Sequence, residues 1–383
     1  MKKINISIMF AGQGTQYKEM TNDLLSSVNQ ETINTVLEKT GDFQKYKAIL
    51  YKGLNDLIES EEFQQYLLLY ELIQYAQLIK QFKFSPAFIS GHSFGQFASY
   101  VVSKSITLPD MLDILKKREK IVKKVKNYSM AAVLGIAKSK LNQIVDEMKL
   151  TSISVSIVNN EYNITISGLN SELDLLERVL NKKYICKFIK LHGSTPYHSN
   201  KMTNANAILK ESIEKLQIKD PFIPVISNIN GNILKNKKEI KEELLGQLIT
   251  PVNWKKVTDR AYNDRIDFTV ILGACPGLKN ICLKASIESY YYNNRKDRRI
   301  LCSKIEDLVS EPCQKLSNYI IYIFSSLPIQ PDKKLLIKFI NELEDKHVNL
   351  SDCLRKVNLI LKNNGIFQNK IEFIDDQIRY LFS

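Results

Sequence analysis

Residues 84–102 read "FSPAFISGHSFGQFASYVV". The middle of this stretch, Gly91-His92-Ser93-Phe94-Gly95, is an instance of G-x-S-x-G. In that pattern the serine sits on a sharp strand-to-helix turn, with its hydroxyl raised above the end of a sheet. The surroundings agree: Ala87 to Ser90 read as an apolar strand after Pro86, and Phe94 to Ser103 as a buried helix. Glycines two before and two after the serine let strand and helix approach without Cβ clashes. A serine in this place also caps a helix N-terminus. Taken alone, the stretch leaves nucleophile and cap both open.

On either side, the chain alternates strands and helices. Residues 4–10 form an apolar strand that ends in the turn Gly12-Gln13-Gly14. Helical segments fill about 16–82, among them "FQQYLLLYELIQYAQLIKQF" (63–82), and a basic helix covers about 108–126. Residues 129–192 change character: "SMAAVLGI", "SISVSIVN", "YNITISG" and "YICKFIKL" read as strands, with helices over 138–148 and 170–182. That order, β-α-β-β-α-β, is the ferredoxin-like split unit. Strand signals return at "PFIPVISNI" and "DFTVILG". The expected fold is therefore α/β: a large α/β-hydrolase-like subdomain with a parallel sheet (1–127 and 194–292), interrupted by a ferredoxin-like subdomain (128–193). The charged "NNRKDRR" marks a linker from 293, and 313–383 read as a helical extension without a chemical motif.

Composition bounds the function. With 383 residues, 44% hydrophobic and 25% charged, the chain has the make-up of a water-soluble globular protein. No run of eighteen apolar residues is available to span a membrane. The start "MKKINISIMFAGQG" lacks a cleavage site and reads as a first strand rather than a signal peptide. Six cysteines (186, 275, 282, 302, 313, 353) are scattered without CxxC spacing or nearby histidines. This predicts reduced thiols in a cytoplasm and no metal site. The net charge of +13 comes with no arginine–aromatic stripe, so nucleic acid is not the expected partner. A basic surface suits an acidic protein instead.

A serine nucleophile needs a base, usually a histidine within hydrogen-bond reach. The four histidines are 92, 192, 198 and 347. His92 adjoins Ser93, but neighbours on such a turn point apart. His347 lies in the polar "ELEDKHVN". His198, in "STPYHSNKM", follows the point where the inserted unit rejoins the large one. A lone histidine is commonly structural, yet a crevice between subdomains is where active sites form.

With these motifs in place, the chain resembles the malonyl-CoA:acyl carrier protein transacylases and the related acyltransferase domains of polyketide synthases. The resemblance runs in order over about 4–290, through "FAGQGTQ", "GHSFGQFAS", "KKREKIV", "MAAVLG", "VNNEYNITISG", "TPYHSNKM", "PVISNING" and "LLGQLITPVNW". It implies that Ser93 is the nucleophile, His198 its general base, and the main-chain carbonyl of Gln247 the group that orients the histidine. The implied oxyanion hole is the N–H of Phe94 and of Gln13. Arg118, which by itself looks like a solvated residue among lysines, would clamp the malonyl carboxylate with two parallel hydrogen bonds. His92 and Tyr197 would border the substrate. Tyr197 resembles the phenylalanine of malonyl-selective acyltransferases more than the serine of methylmalonyl-selective ones. The implied partners are malonyl-CoA and an acyl carrier protein, in polyketide or fatty-acid biosynthesis, with coenzyme A entering as substrate and no cofactor. Two departures stand out: Gln96 occupies a usual glutamate position, and "GACPGL" is a loosened form of a glycine–proline segment. A hydrolase that releases acyl chains from carrier proteins is the alternative on the same fold; such enzymes tend to lose the arginine.

Overall fold

Short apolar runs bounded by turn residues fold here as strands, those at the centre of the first sheet buried on both faces. The computed structural model describes residues 5–305, apart from 15, 83 and 192–194. The 313–383 extension, His192 and His347 lie outside the described residues. In chain order the strands are β1 (Ile6–Phe10), β2 (Phe88–Gly91), β3 (Tyr128–Leu134), β4 (Ser154–Asn160), β5 (Asn163–Leu169) and β6 (Lys187–Leu191). There follow β7 (Val225–Ile226), β8 (Ile233–Leu234), β9 (Val252–Asn253), β10 (Phe268–Leu272) and β11 (Ser289–Tyr291). The first sheet runs β11-β10-β1-β2-β7-β8 and is parallel except for the β7–β8 pair. A mixed α/β fold with a parallel sheet is thus present, as the sequence predicts. All five residues of β1 and all five of β10 are buried, the mark of a parallel sheet covered by helices on both faces.

The second sheet runs β6-β3-β5-β4-β9. Its first four strands pair antiparallel, and helices Lys138–Glu147 and Asn170–Lys183 cover one face through Leu141, Ile144, Leu173, Leu176 and Leu180. The fifth, β9, lies outside 128–193 and joins β4 in parallel. Trp254, directly after β9, is fully buried in one cluster with Met9, Phe88 and Ile271 of the first sheet and Met130 and Ile157 of the second. The two sheets therefore share a core instead of meeting at a polar seam.

Several elements differ from expectation. "PFIPVISNI" yields only the two residues of β7, because the chain turns back at once through Gly231 (φ +74°) into β8. The edge strand β11 had no clear sequence signal. At the expected linker, Asn293 Nδ2 donates to Tyr70 Oη (2.7 Å) and to the Gly273 carbonyl (3.0 Å), and Asp297 accepts the Tyr291 N–H (2.9 Å).

The ends of β1 and β2 set the site. His92 N–H donates to the Phe10 carbonyl (2.9 Å), which holds the turn after β2 beside the end of β1. A Cβ on Gly91 would lie 1.9 Å from the Gly95 carbonyl carbon, and one on Gly95 2.4 Å from the Phe10 oxygen. Both glycines are thus required by backbone contact, not by turn propensity. Gly95→Ala must push β1 away from the turn, at the upper end of overpacking costs, about 3 kcal/mol. The expected outcome is a clearly lowered urea midpoint at unchanged slope; an unchanged midpoint would mean the two strand ends are not held together here.

Candidate active site

Ser93 sits at φ +53°, in the left-handed region that a non-glycine residue enters only when its surroundings enforce it. A single turn of 3₁₀ helix, Ser93–Gly95, leads directly into the helix Gln96–Val102. The side chain is half-buried and so open to solvent on one side. Its Oγ lies 2.6 Å from His198 Nε2, a hydrogen bond that joins residues far apart in the chain. His198 is itself strained, at φ +59°, and 1% exposed. Its N–H donates to the Leu248 carbonyl (2.8 Å). Nδ1 faces the main-chain carbonyls of Gln247 and Thr250, yet forms no hydrogen bond of good geometry with either. Burial first, then the Arg118 charge and His92, lower the His198 pKa to about 3, while the two carbonyls oppose the shift. The imidazole is therefore neutral at ordinary pH, with Nε2 poised to take the serine proton.

Gln13 is exposed in the turn after β1, with its Oε1 3.5 Å from Gln64 Nε2. Gly12 packs so closely on His92 that a Cβ there would meet the His92 carbonyl oxygen at 2.8 Å. The Gly12–Gly14 turn thus runs alongside the serine turn. Phe94 lies in the first turn of the helix, where main-chain N–H groups lack intrahelical acceptors. Two such N–H groups beside a nucleophile can face the oxygen of a tetrahedral intermediate.

Arg118 departs from its surroundings in sequence. It is 2% exposed although lysines flank it at 116, 117, 120, 123 and 124. The helix Leu108–Val122 turns Met111, Leu115, Arg118 and Val122 inward. The guanidinium carbon lies 4.6 Å from the Tyr197 ring centre and 5.2 Å from that of Phe97. Nη2 donates a long hydrogen bond to Gln247 Oε1 (3.3 Å), and Gln247 Nε2 donates to the Ser93 carbonyl (3.3 Å). One amide therefore bridges arginine and serine. Arg118 Nε and Nη1 make no hydrogen bond of good geometry within the protein, although the Tyr197 hydroxyl and the Glu119 carboxylate are near enough to favour its charge against burial. A buried cation with unmet donors is costly unless an anion joins it.

His92 reaches from the serine turn toward the second sheet. Its Nε2 is 2.8 Å from Asn159 Oδ1 on β4, and its ring meets Trp254 edge-on, centres 5.0 Å apart. Sequence reading missed Gln64, which is fully buried and reaches both Gln13 and the Tyr197 hydroxyl (3.3 Å). It also missed Glu243, buried behind the serine turn. Neither carries a local signal, since each meets its partners across a long stretch of chain. Arg118 did carry one: the spacing 111, 115, 118, 122 marks the inner face of a helix. Among the described residues no cluster of three His, Cys, Asp or Glu side chains could hold a metal ion. No described helix is long and apolar enough to cross a membrane.

One sequence relative and two solved structures of like fold bear comparison with this chain. The malonyl CoA-acyl carrier protein transacylase of Buchnera aphidicola subsp. Schizaphis graminum is 28% identical over 286 residues, covering 73% of this chain and 92% of that protein. The crystal structure of malonyl-CoA:acyl carrier protein transacylase from Xanthomonas oryzae pv. oryzae superposes with a TM-score of 0.71 at 23% identity, over 79% of this chain and 99% of the other. A malonyl-transacylase solved in complex with its type II polyketide acyl-carrier protein superposes at 0.69 and 18% identity, covering 76% and 97% of the two chains. The family model for the acyl transferase domain matches residues 8–266, a span that takes in Ser93, Arg118, His198 and Gln247, and the chain belongs to that family.

Proposed function

We propose that the protein takes a malonyl group from malonyl-CoA onto Ser93 and passes it to the phosphopantetheine thiol of an acyl carrier protein, in polyketide or fatty-acid biosynthesis. The observation that carries this reading is the buried Arg118 guanidinium, with Nε and Nη1 unpartnered, joined through Gln247 to the Ser93–His198 pair. A carboxylate at the far end of the acyl group would meet those donors. Relatives named for malonyl transfer to acyl carrier protein support the same substrates.

In the first half-reaction Ser93 Oγ attacks the thioester carbonyl while its proton passes to His198 Nε2. The oxyanion is faced by the N–H groups of Phe94 and Gln13, each contributing about 2.7–4 kcal/mol if it acts as such donors do elsewhere. Coenzyme A leaves as the thiol, taking the proton from His198. In the second half-reaction the carrier's thiol gives its proton to His198 and attacks the seryl ester; the ester bond breaks, Ser93 Oγ takes the proton back from His198, and the carrier departs acylated. Gln247 and Tyr197 border the acyl group, and His92 holds the second sheet against the serine turn through Asn159. In this reading no cofactor is needed, and the work is done in the cytoplasm. The two sheets correspond to an α/β-hydrolase-like subdomain over 1–127 and 194–292 and a ferredoxin-like one over 128–193, the latter extended by β9.

Arg118 is the test of substrate class. Truncating one partner of a buried, charged hydrogen-bonded pair costs about 2–5 kcal/mol. Arg118→Ala is therefore expected to lose malonyl transfer by roughly 30-fold or more, while acetyl transfer holds steady or rises. Arg118→Lys restores part of the loss, since a point charge lacks the fork geometry. The measurement is Ser93 acylation rate with malonyl-CoA and acetyl-CoA; equal losses for both donors would contradict the clamp, and a wild type that passes acyl groups only to water would favour a hydrolase.

The pH profile tests the base. A histidine with a lowered folded pKa stays neutral in the folded protein, whereas the unfolded chain protonates below about 6.5. Its contribution to stability is thus full above that pH and is lost as pH falls from there through the folded value of about 3. Acylation kcat/KM should accordingly stay flat from pH 8 to below pH 6. A half-loss near pH 6.5 would show the imidazole to be unperturbed and the burial argument wrong.

A further inference from the structure

Behind the serine turn lies a buried carboxylate that the chemistry above does not use. Glu243 projects from the inner face of the helix Lys237–Gly246, beside the buried Ile240 and Leu244. Its Oε1 accepts from Gln96 Nε2 (2.9 Å) and from the Tyr100 hydroxyl (3.1 Å). The Ser227 hydroxyl and the Asn228 main chain lie close enough to favour the charged carboxylate. Burial pushes the Glu243 pKa up, and the hydrogen bonds oppose that shift; the groups that meet the carboxylate are neutral, with no cation among them.

Gln96 has a second task. Its Oε1 accepts the Gly91 N–H (2.7 Å), and Asn228 Nδ2 donates to the Gly91 carbonyl (3.1 Å). Both polar groups of the last residue of β2, two positions before Ser93, are thereby held, the N–H by a side chain that also binds Glu243. One helical turn beyond Glu243 stands Gln247, the residue that touches both the Ser93 carbonyl and Arg118. A closed path results, running from the Gly91 main chain through Gln96 to Glu243, along one turn of helix to Gln247, and back to Ser93. We infer that Glu243 is a positioning residue, which locks its helix to the serine turn and so sets Gln247 against Ser93 and Arg118. This rests on the acyl-transfer reading of the same site.

The donor pattern provides a charge-swap test. Glu243→Gln is the same size, but it removes the negative charge and puts an amide NH₂ among groups that present protons to this site. Gln96→Glu places a second carboxylate against the first, with only neutral groups around them. In the double variant Gln96→Glu/Glu243→Gln, one amide and one carboxylate face each other again. The Ile226 carbonyl, which loses Gln96 Nε2 (3.1 Å), keeps the Ser90 hydroxyl (2.9 Å). Two rates are read on each purified full-length protein: acylation by malonyl-CoA, and labelling of Ser93 by a fluorophosphonate probe, which reports the serine turn without needing any acyl donor. Glu243→Gln is expected to lower kcat for acylation and the labelling rate about tenfold or more, as small misplacements of a reacting group do, with KM for malonyl-CoA little changed. The double variant should recover most of both losses and fold even where Gln96→Glu does not. A Glu243→Gln protein that matches the wild type in both rates, or a swap no better than Gln96→Glu alone, overturns the inference. If the wild type is labelled by the probe but takes no malonyl group, the acyl-transfer reading fails while the labelling series still decides the role of Glu243.

Discussion

The close approach of two backbones governs this structure. Strand β2 ends against the first turn of the helix it leads into, and that turn ends against β1, with only hydrogen atoms of Gly91 and Gly95 between the chains. This contact forces Ser93 to φ +53° and raises its side chain off the sheet. It also sets the Gly12–Gly14 turn beside the serine, so that donors from two separate loops can converge. A parallel sheet makes this possible, because β1 and β2 run in the same direction and finish at one edge. Active sites in open α/β sheets gather at that edge for the same reason.

What the contact leaves open, the second sheet closes. His198 arrives on the segment that leaves β6, and β9 pairs with β4, so the histidine and the helix end at Gln247 are tied to both sheets. The shared core around Trp254 makes the crevice a packed junction. Burial there has electrostatic consequences. It strips water from His198 and keeps the base neutral, and it leaves Arg118 Nε and Nη1 without a hydrogen bond from the protein. The same low-dielectric surroundings that make a lone charge expensive make its pairing with a carboxylate selective.

How much of this could be read from the sequence follows from the range of the interactions. The serine turn was legible because its requirements are local: an apolar strand, two glycines and a helix start within a few residues. The succession of strands and helices over 128–193 was legible because alternation and turn residues repeat over short spans. Arg118 read as a surface residue in isolation, since the lysines around it dominate the composition, although its spacing with Met111, Leu115 and Val122 placed it on the inner face. Gln64 and Glu243 could not be found this way. Key partners, Tyr197 for Gln64 and Gln96 for Glu243, lie more than a hundred residues away, and their roles exist only once the helices have packed. Likewise β9 is too short for any periodicity and is created by its neighbour β4. The functional assignment came from the ordered set of motifs, which resemblance supplied and geometry alone would not have named.

The account stands or falls on Ser93 carrying a malonyl group. The direct measurement is the mass of the intact protein after brief exposure to malonyl-CoA, followed by peptide mapping and by addition of a holo acyl carrier protein. The account predicts a single malonyl adduct mapped to Ser93, which disappears as the carrier gains the same mass. An adduct on another residue, or an enzyme that stays unmodified while malonyl-CoA is consumed, would contradict it.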